Sequence, residues 1–162
     1  MEKDYSIREI PLFQCVHQAI ADNKHLLLQN RVRVELEEKP VTVFSDDKWI
    51  RFILNQLIAN SVKYRSSNPS IVFTSVQKEG AVVLTVQDNG IGISKADLGR
   101  IFEKGFTGTN GRTISQSTGI GLYLCKRLGD KLGIELWAES DAKGTRISLR
   151  FPINHFIHQV QE

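Results

Sequence analysis

Apolar side chains occupy every second position at Val82, Leu84 and Val86, the spacing of a strand with one buried face. The same period recurs around Val32, Val34 and Leu36, and then in Val41-Thr42-Val43-Phe44 beyond the polar turn Glu37-Glu38-Lys39-Pro40. Those two runs predict an antiparallel pair. Further strands are predicted over 71–76 and 81–87 around Lys78-Glu79-Gly80, and over 134–140 and 145–151 around Asp141-Ala142-Lys143-Gly144. A short alternating run over 4–11, with Tyr5, Ile7 and Ile10, reads as an edge strand.

Helical spacing separates these runs. Phe13, Val16, Ile20 and Leu27 predict a helix over about 12–28, opened by Pro11. Ser45-Asp46-Asp47 offers N-caps for a second helix, about 47–64, whose buried face is Ile50, Ile53, Leu54, Leu57, Ile58 and Val62. Ser94 caps a short helix through Arg100, with Asp97 as a capping-box analogue. A last helix over 122–132 ends at Gly133. The order of elements predicts an α/β (α+β) sandwich: a mixed, mainly antiparallel sheet with helices on one face. One domain spans 1–152, and a polar tail follows over 153–162.

Composition changes this picture little. With 162 residues, 41% hydrophobic and 24% charged, the chain suits one soluble domain. A net charge of +3 permits phosphate binding, and no Lys/Arg-rich run argues for nucleic acid. Cys15 and Cys125 lie far apart within apolar helical patterns and read as buried free thiols. No apolar run approaches the roughly 20 residues needed to cross a bilayer. The chain as given is expected to be cytoplasmic, and a fragment if it belongs to a membrane sensor.

The chemistry concentrates in two glycine-rich turns. Asp88-Asn89-Gly90-Ile91-Gly92-Ile93 closes the strand 81–87, placing a carboxylate beside a turn that a ligand can approach closely. By itself Asp-Asn-Gly is more often a hairpin turn. The second pair, Thr118-Gly119-Ile120-Gly121-Leu122, opens a helix. Together they point to a nucleotide held between them. On the helix over 47–64, Gln56, Asn60 and Lys63 share one face. Carboxamide oxygens suit Mg²⁺ and a lysine can neutralise phosphate oxygens. Between the two turns, 103–118 is rich in glycine and threonine and reads as a lid, with Phe102 and Phe106 at its base and Lys104 and Arg112 as its cations.

Asp88-x-Gly-x-Gly, Ile101-Phe102-Glu103-Lys104-Gly105-Phe106, Thr118-Gly-x-Gly-Leu122 and, upstream, Asn60-Ser61-Val62-Lys63-Tyr64 resemble, in order and spacing, the ATP-binding domain of sensor histidine kinases. The resemblance covers about 6–152. Lys48 to Gln56 and Ser117-Thr118-Gly119 look most like the bacitracin- and antimicrobial-peptide-sensing kinases of Gram-positive bacteria. It implies the Bergerat-type ATP-binding fold shared with type II topoisomerases and mismatch-repair ATPases.

Carried onto this chain, the resemblance makes Asp88 the acceptor of the adenine amine, in a turn through Gly90, Gly92 and Ile93. Thr145 supports the base and Tyr64 lies against base or ribose. Asn60 and Gln56 hold Mg²⁺, with Asn60 and Lys63 as the catalytic pair. Thr118, Gly119, Gly121 and Leu122 form the helix start that faces the phosphates, with Lys104 or Arg112 over them. The family commonly has asparagine where Gln56 stands. Its phosphoacceptor histidine is followed by an acid and a proline, whereas His17 precedes Gln18-Ala19-Ile20. His17 and His25 therefore read as helix-surface residues, and the acceptor is expected in a separate dimerisation hairpin.

The implied partners are that hairpin and a response regulator, with no nucleic acid and a membrane link only through another part of the protein. The fragment is expected to be monomeric and the intact protein a homodimer. A topoisomerase or mismatch-repair type of ATPase is the rival, but it needs a glutamate base where Gln56 stands. An anti-sigma-factor type of serine kinase and a non-catalytic nucleotide-binding module are further alternatives.

Overall fold

The computed structural model describes residues 5–106 and 120–152. Its elements in chain order are β1 (Arg8–Pro11), α1 (Leu12–Asp22), α2 (Lys24–Gln29), β2 (Arg33–Leu36), β3 (Thr42–Ser45) and α3 (Asp47–Lys63). Then come β4 (Ser70–Lys78), β5 (Ala81–Asp88), α4 (Lys95–Leu98), α5 (Gly121–Leu132), β6 (Glu135–Asp141) and β7 (Gly144–Pro152). Five strands form the main sheet in the order β2-β4-β5-β7-β6. Only β2–β4 is parallel, and the other three pairs are antiparallel. The expected mixed, mainly antiparallel sheet is what forms.

Alternation builds the core from the sheet side. Ile71 and Phe73 of β4, Val82, Leu84 and Val86 of β5, and Ile147, Leu149 and Phe151 of β7 are buried. From the helix side come Leu12 and Val16 of α1, the six apolar residues expected on α3, and Cys125, Leu128 and Leu132 of α5. All belong to one contiguous cluster. At about 25 cal/mol per Å² of apolar surface removed from water, this burial is the main favourable term in the fold. The N-terminal end of helix α3 is tied through Asp46 to the segment before β1, and its C-terminal end meets the turn after β5 through the Tyr64 carbonyl. Both thiols are buried and free as expected; burial pushes Cys15 up to about 11 and Cys125 up to about 12.

Three expectations need correction. The first helix is two helices, because the Asn23 side chain donates to the Ala19 carbonyl at 2.8 Å and its backbone leaves helical geometry at φ −108°, ψ 17°. Side chain and helix compete for the same carbonyl at that point. The runs around 31–36 and 41–44 do not pair with each other. Strand β2 lies parallel to β4, while β3 pairs antiparallel with β1 in a separate two-stranded sheet. The connection 37–41 holds Pro40 but no glycine, asparagine or aspartate to reverse the chain tightly. Glu37 instead donates to Phe73, extending the β2–β4 ladder. It follows that the 4–11 strand is no edge of the main sheet. By contrast, the β4–β5 hairpin turns on Glu79 and Gly80, both at positive φ (52° and 74°), the two-residue geometry that twisted hairpins favour. The expected tail over 153–162 lies outside the described residues.

Candidate nucleotide site

Four chain segments meet at one margin of the sandwich: the end of α3, the turn after β5, the start of α5 and the β6–β7 hairpin. Antiparallel pairing sets Asp88 directly opposite Thr145. Gly144, at φ 130°, permits that approach, since a Cβ there would collide with the Asp88 carbonyl oxygen. The Asp88 carboxylate is held on both oxygens. Oδ1 accepts from the backbone N–H groups of Gly90 (2.9 Å) and Thr145 (3.3 Å), and Oδ2 accepts the Ser61 hydroxyl at 2.8 Å. An ionised carboxylate offers about four acceptor positions. Three are used here, and the half-buried group keeps acceptor capacity for an amine.

The turn itself is pinned to its neighbours. Asn89 accepts from the Ser70 N–H at 2.9 Å and donates to the Asn68 carbonyl at 3.1 Å. Ile91 donates to the Tyr64 carbonyl at the end of α3 (3.0 Å), and a Cβ on Gly90 would stand 2.5 Å from that same oxygen. Gly90 thus lets the turn seat on the helix end. Gly92 has φ 82° and faces the Ser140 hydroxyl and the Asp141 carbonyl, and Ile93 donates to Ser140 Oγ at 2.8 Å.

On α3, Gln56 and Asn60 are half-buried, one helical turn apart. The Gln56 amide oxygen lies where a Cβ on Gly121 would come within 2.5 Å of it, so Gly121 admits this side chain to the start of α5. Among the described residues no cluster of three His, Cys, Asp or Glu side chains could hold a metal. Mg²⁺ would therefore depend on neutral amide oxygens and phosphate, a donor set it accepts. Gln56 and Asn60 fit that chemistry.

Lys63 Nζ lies 5.6 Å from the Tyr64 ring centre, and Lys104 Nζ lies 5.8 Å from the Tyr123 ring, at the start of α5. Lys104 thus stands beside the helix end where phosphates are expected. Leu122 is half-buried against the core, as is Phe102, while Phe106 stacks beneath Arg100 at 4.5 Å. Arg112, Thr118 and Gly119 lie outside the described residues, as does the lid beyond Phe106.

The structure brings Gln56, Asn60, Tyr64, Asp88, Gly90, Gly92, Ile93, Gly121 and Thr145 into this one margin. It also recruits two residues that sequence reading missed, Ser61 and Ser140. Ser61 directly follows Asn60 in the asparagine motif, and that adjacency was the available signal. Ser140 sits on the inward-facing alternation Leu136, Ala138, Ser140, where a polar side chain calls for a partner. His17 is exposed and pairs with Glu38 at 2.8 Å, a surface position as expected.

The family described as Histidine kinase-, DNA gyrase B-, and HSP90-like ATPase matches residues 45–155. The chain belongs to this family. Membership implies an ATP site and the shared fold of topoisomerase and mismatch-repair ATPases. Among curated proteins it is 39% identical over 153 residues to Sensor protein BceS of Halalkalibacterium halodurans, covering 94% of this chain and 46% of that protein. It is 38% identical to BceS of Bacillus subtilis, covering 99% and 48%, and 35% identical to Sensor protein kinase GraS of Staphylococcus aureus MRSA252, covering 99% and 47%. The chain thus spans about half the length of these relatives. The catalytic domain of histidine kinase ThkA has the same fold, with a TM-score of 0.78 at 22% identity, covering 91% of this chain and 96% of that one. ThkA in complex with the response regulator protein TrrA aligns with a TM-score of 0.75 at 18% identity, covering 93% and 42%.

Proposed function

We propose that this chain is the ATP-binding catalytic domain of a two-component sensor histidine kinase of the bacitracin- and antimicrobial-peptide-sensing type. It transfers the γ-phosphoryl of ATP to a histidine on a separate dimerisation domain, and a response regulator receives the group next. The observation that carries this reading is the Asp88 constellation. A carboxylate fixed by Ser61, Gly90 and Thr145 retains acceptor capacity at the margin where the Asp88 turn and the start of α5 both reach the C-terminal half of α3.

Asp88 accepts the adenine 6-amino group, Thr145 supports the base, and Tyr64 flanks base or ribose. Lys63 and Asn60 address the phosphates, and Gln56 and Asn60 would hold Mg²⁺, which would supply neutralisation of phosphate charge. The phosphates face Gly119, Gly121 and Leu122 at the helix start, where backbone N–H groups favour anions. Lys104, Arg112 and Thr118 complete that end. In the transfer, the bond from the γ-phosphorus to its bridging oxygen breaks, a bond to an imidazole nitrogen forms, and ADP departs. Such a step needs mainly positioning and charge neutralisation. Water is disfavoured as acceptor because Gln56 occupies the position of a hydrolase's glutamate, and an amide has no useful basicity. The domain works in the cytoplasm, tethered through another part of a membrane sensor that pairs as a homodimer. No described helix is long and apolar enough to cross a membrane.

Labelled ATP with Mg²⁺ tests the reading. The chain should bind nucleotide, label itself negligibly and hydrolyse ATP slowly. Mixed with the histidine-bearing hairpin of a BceS-type kinase, it should label that hairpin with an acid-labile, base-stable phosphate. His17→Ala should leave this labelling unchanged. An acid-stable phosphoserine product, labelling at His17, or brisk hydrolysis without the hairpin would each overturn the proposal.

A further inference from the structure

Ser140 carries a hydroxyl with three neighbours. It accepts from the Ile93 N–H at 2.8 Å, donates to the Gly144 carbonyl at 3.1 Å, and lies 3.2 Å from Thr145 Oγ1. A serine hydroxyl has one proton and two lone pairs. A carbonyl can only accept, so the Ser140 proton goes to Gly144. The contact with Thr145 must then use the Thr145 proton. Both Ser140 lone pairs are filled, by Ile93 and by Thr145, and the hydroxyl is fully satisfied.

The consequence falls on Thr145. Its hydroxyl proton points at Ser140, so toward the ligand it presents lone pairs alone. It is 7% exposed, and water has little access to reverse that polarity. Beside it Asp88 is an acceptor too. The base end of the site therefore displays acceptors without a side-chain donor from this pair. At position 6, to which the proposed function assigns this pair, an amine can satisfy them, whereas a 6-oxo purine sets its carbonyl lone pairs against theirs and carries its edge proton at N1 instead.

We infer that Ser140 is a positioning residue that sets nucleobase selectivity: by taking the Thr145 proton it fixes the Asp88–Thr145 end of the site as an amine receiver, favouring 6-amino over 6-oxo purines. The inference rests on the assignment of Asp88 and Thr145 to the base. The same hydroxyl ties the glycine turn, through Ile93, to the β6–β7 hairpin, which keeps the two acceptors in register.

Titration of the 162-residue chain with Mg²⁺-ATP and Mg²⁺-ITP tests it, because the two differ only at and beside position 6. Ser140→Ala frees the Thr145 proton to rotate toward the ligand. The ATP-to-ITP affinity ratio should then fall by about tenfold, the order expected when a site loses its matched polarity. Ser140→Thr restores a hydroxyl and should recover most of the ratio. A purely structural loss would weaken both nucleotides alike and leave the ratio standing. If Ser140→Ala does not fold, Ser140→Cys keeps the volume with a weak hydrogen-bonding group and should shift the ratio the same way. An unchanged ratio in a folded Ala or Cys variant, or a wild-type chain that does not separate ATP from ITP, overturns the role given to Ser140. Asp88→Asn, run alongside, separates the two layers. Undiminished ATP affinity in that variant removes the base-end assignment itself, whereas a loss there with an unmoved Ser140 ratio removes only the present inference.

Discussion

The two ends of α3 each rely on an aspartate that accepts three hydrogen bonds, yet the two carboxylates do different work. At the N-terminal end Asp46 accepts the backbone N–H groups of Lys48 (3.0 Å) and Trp49 (3.3 Å) as N-cap, and that of Ser6 at 2.6 Å. It is 2% exposed. Sealed in this way, it joins the β1 segment to the helix and offers nothing to a ligand. At the other end Asp88 also holds three donors, two backbone and one hydroxyl, but remains half-exposed in a turn built from two glycines. The number of bonds is the same. What separates a structural carboxylate from a binding one is whether its remaining lone pair can be reached, and burial, not bond count, decides that.

The sharpest way to break the comparison is to remove each carboxylate in turn. Asp46→Ala deletes an N-cap and leaves the Ser6 N–H without its acceptor. Caps contribute about 0.5–2 kcal/mol, and an ordinary part-buried hydrogen bond adds about 0.5–1.5 kcal/mol. Denaturant unfolding should show a loss of about 2 kcal/mol, while the folded fraction keeps its ATP affinity. Asp88→Asn should do the reverse: the melting temperature stays near wild type while ATP affinity drops by about one to two decades, the effect of losing a charge-assisted bond of about 1.5–3 kcal/mol. If Asp46→Ala weakens ATP binding as much as Asp88→Asn does, the division of labour fails.

The metal end of the site gives a smaller effect. Asn60→Ala should weaken Mg²⁺-dependent ATP binding more than the Mg²⁺-free component. Gln56→Ala should do so less, because the Gln56 amide also fills the space against Gly121. Calorimetry with and without Mg²⁺ reads this directly, and equal losses in both conditions would remove the two amides from the metal.

Legibility in the sequence followed the range of the signal. Helix α3 and its cap, the β4–β5 hairpin and the glycine turn after Asp88 are encoded locally, by period, cap residues and turn chemistry, and all three read correctly. Pairing partners are not local. Nothing within 31–44 states that β2 joins β4, because that choice depends on which edge the rest of the sheet leaves open. Asn23 broke a helix for a comparable reason, since its side chain can compete with the backbone only once the Ala19 carbonyl is within reach. At this margin, residues with distinctive chemistry could be singled out from motif order. Ser61 and Ser140 could not, because a serine declares a role only when its neighbours in space are known. The need for glycine at position 90 was legible, but its physical cause, the Tyr64 carbonyl, was not.

The smallest effect belongs to the N-terminal half of α3, where charge pairs lie in solvent. Arg51 makes a bidentate contact with Asp22 at 2.5 Å, and Asn55 donates to the same carboxylate at 3.2 Å while accepting from Asn23 at 3.0 Å. Asn55 is thus a structural tie between α1 and α3. The hydrogen bond from Arg51 is the main reason that the Asp22 carboxyl lies low, at about 2. A carboxylate whose folded value lies below its unfolded value adds stability above the unfolded value. That stability is lost as pH falls through the folded one. The window here runs from the ordinary aspartate range down to about pH 2. The pair is solvent-exposed, so screening keeps its contribution small, and salt should reduce it further. Carbon-detected titration of Asp22 should give a value near 2 in the wild-type chain and one close to the ordinary aspartate range in Arg51→Ala. ATP affinity should be unmoved by that substitution, because this carboxylate sits at the structural end of the helix. A titration that stays near 2 without Arg51 would assign the depression to Asn55 instead, and a loss of ATP binding would show that the two ends of α3 are coupled.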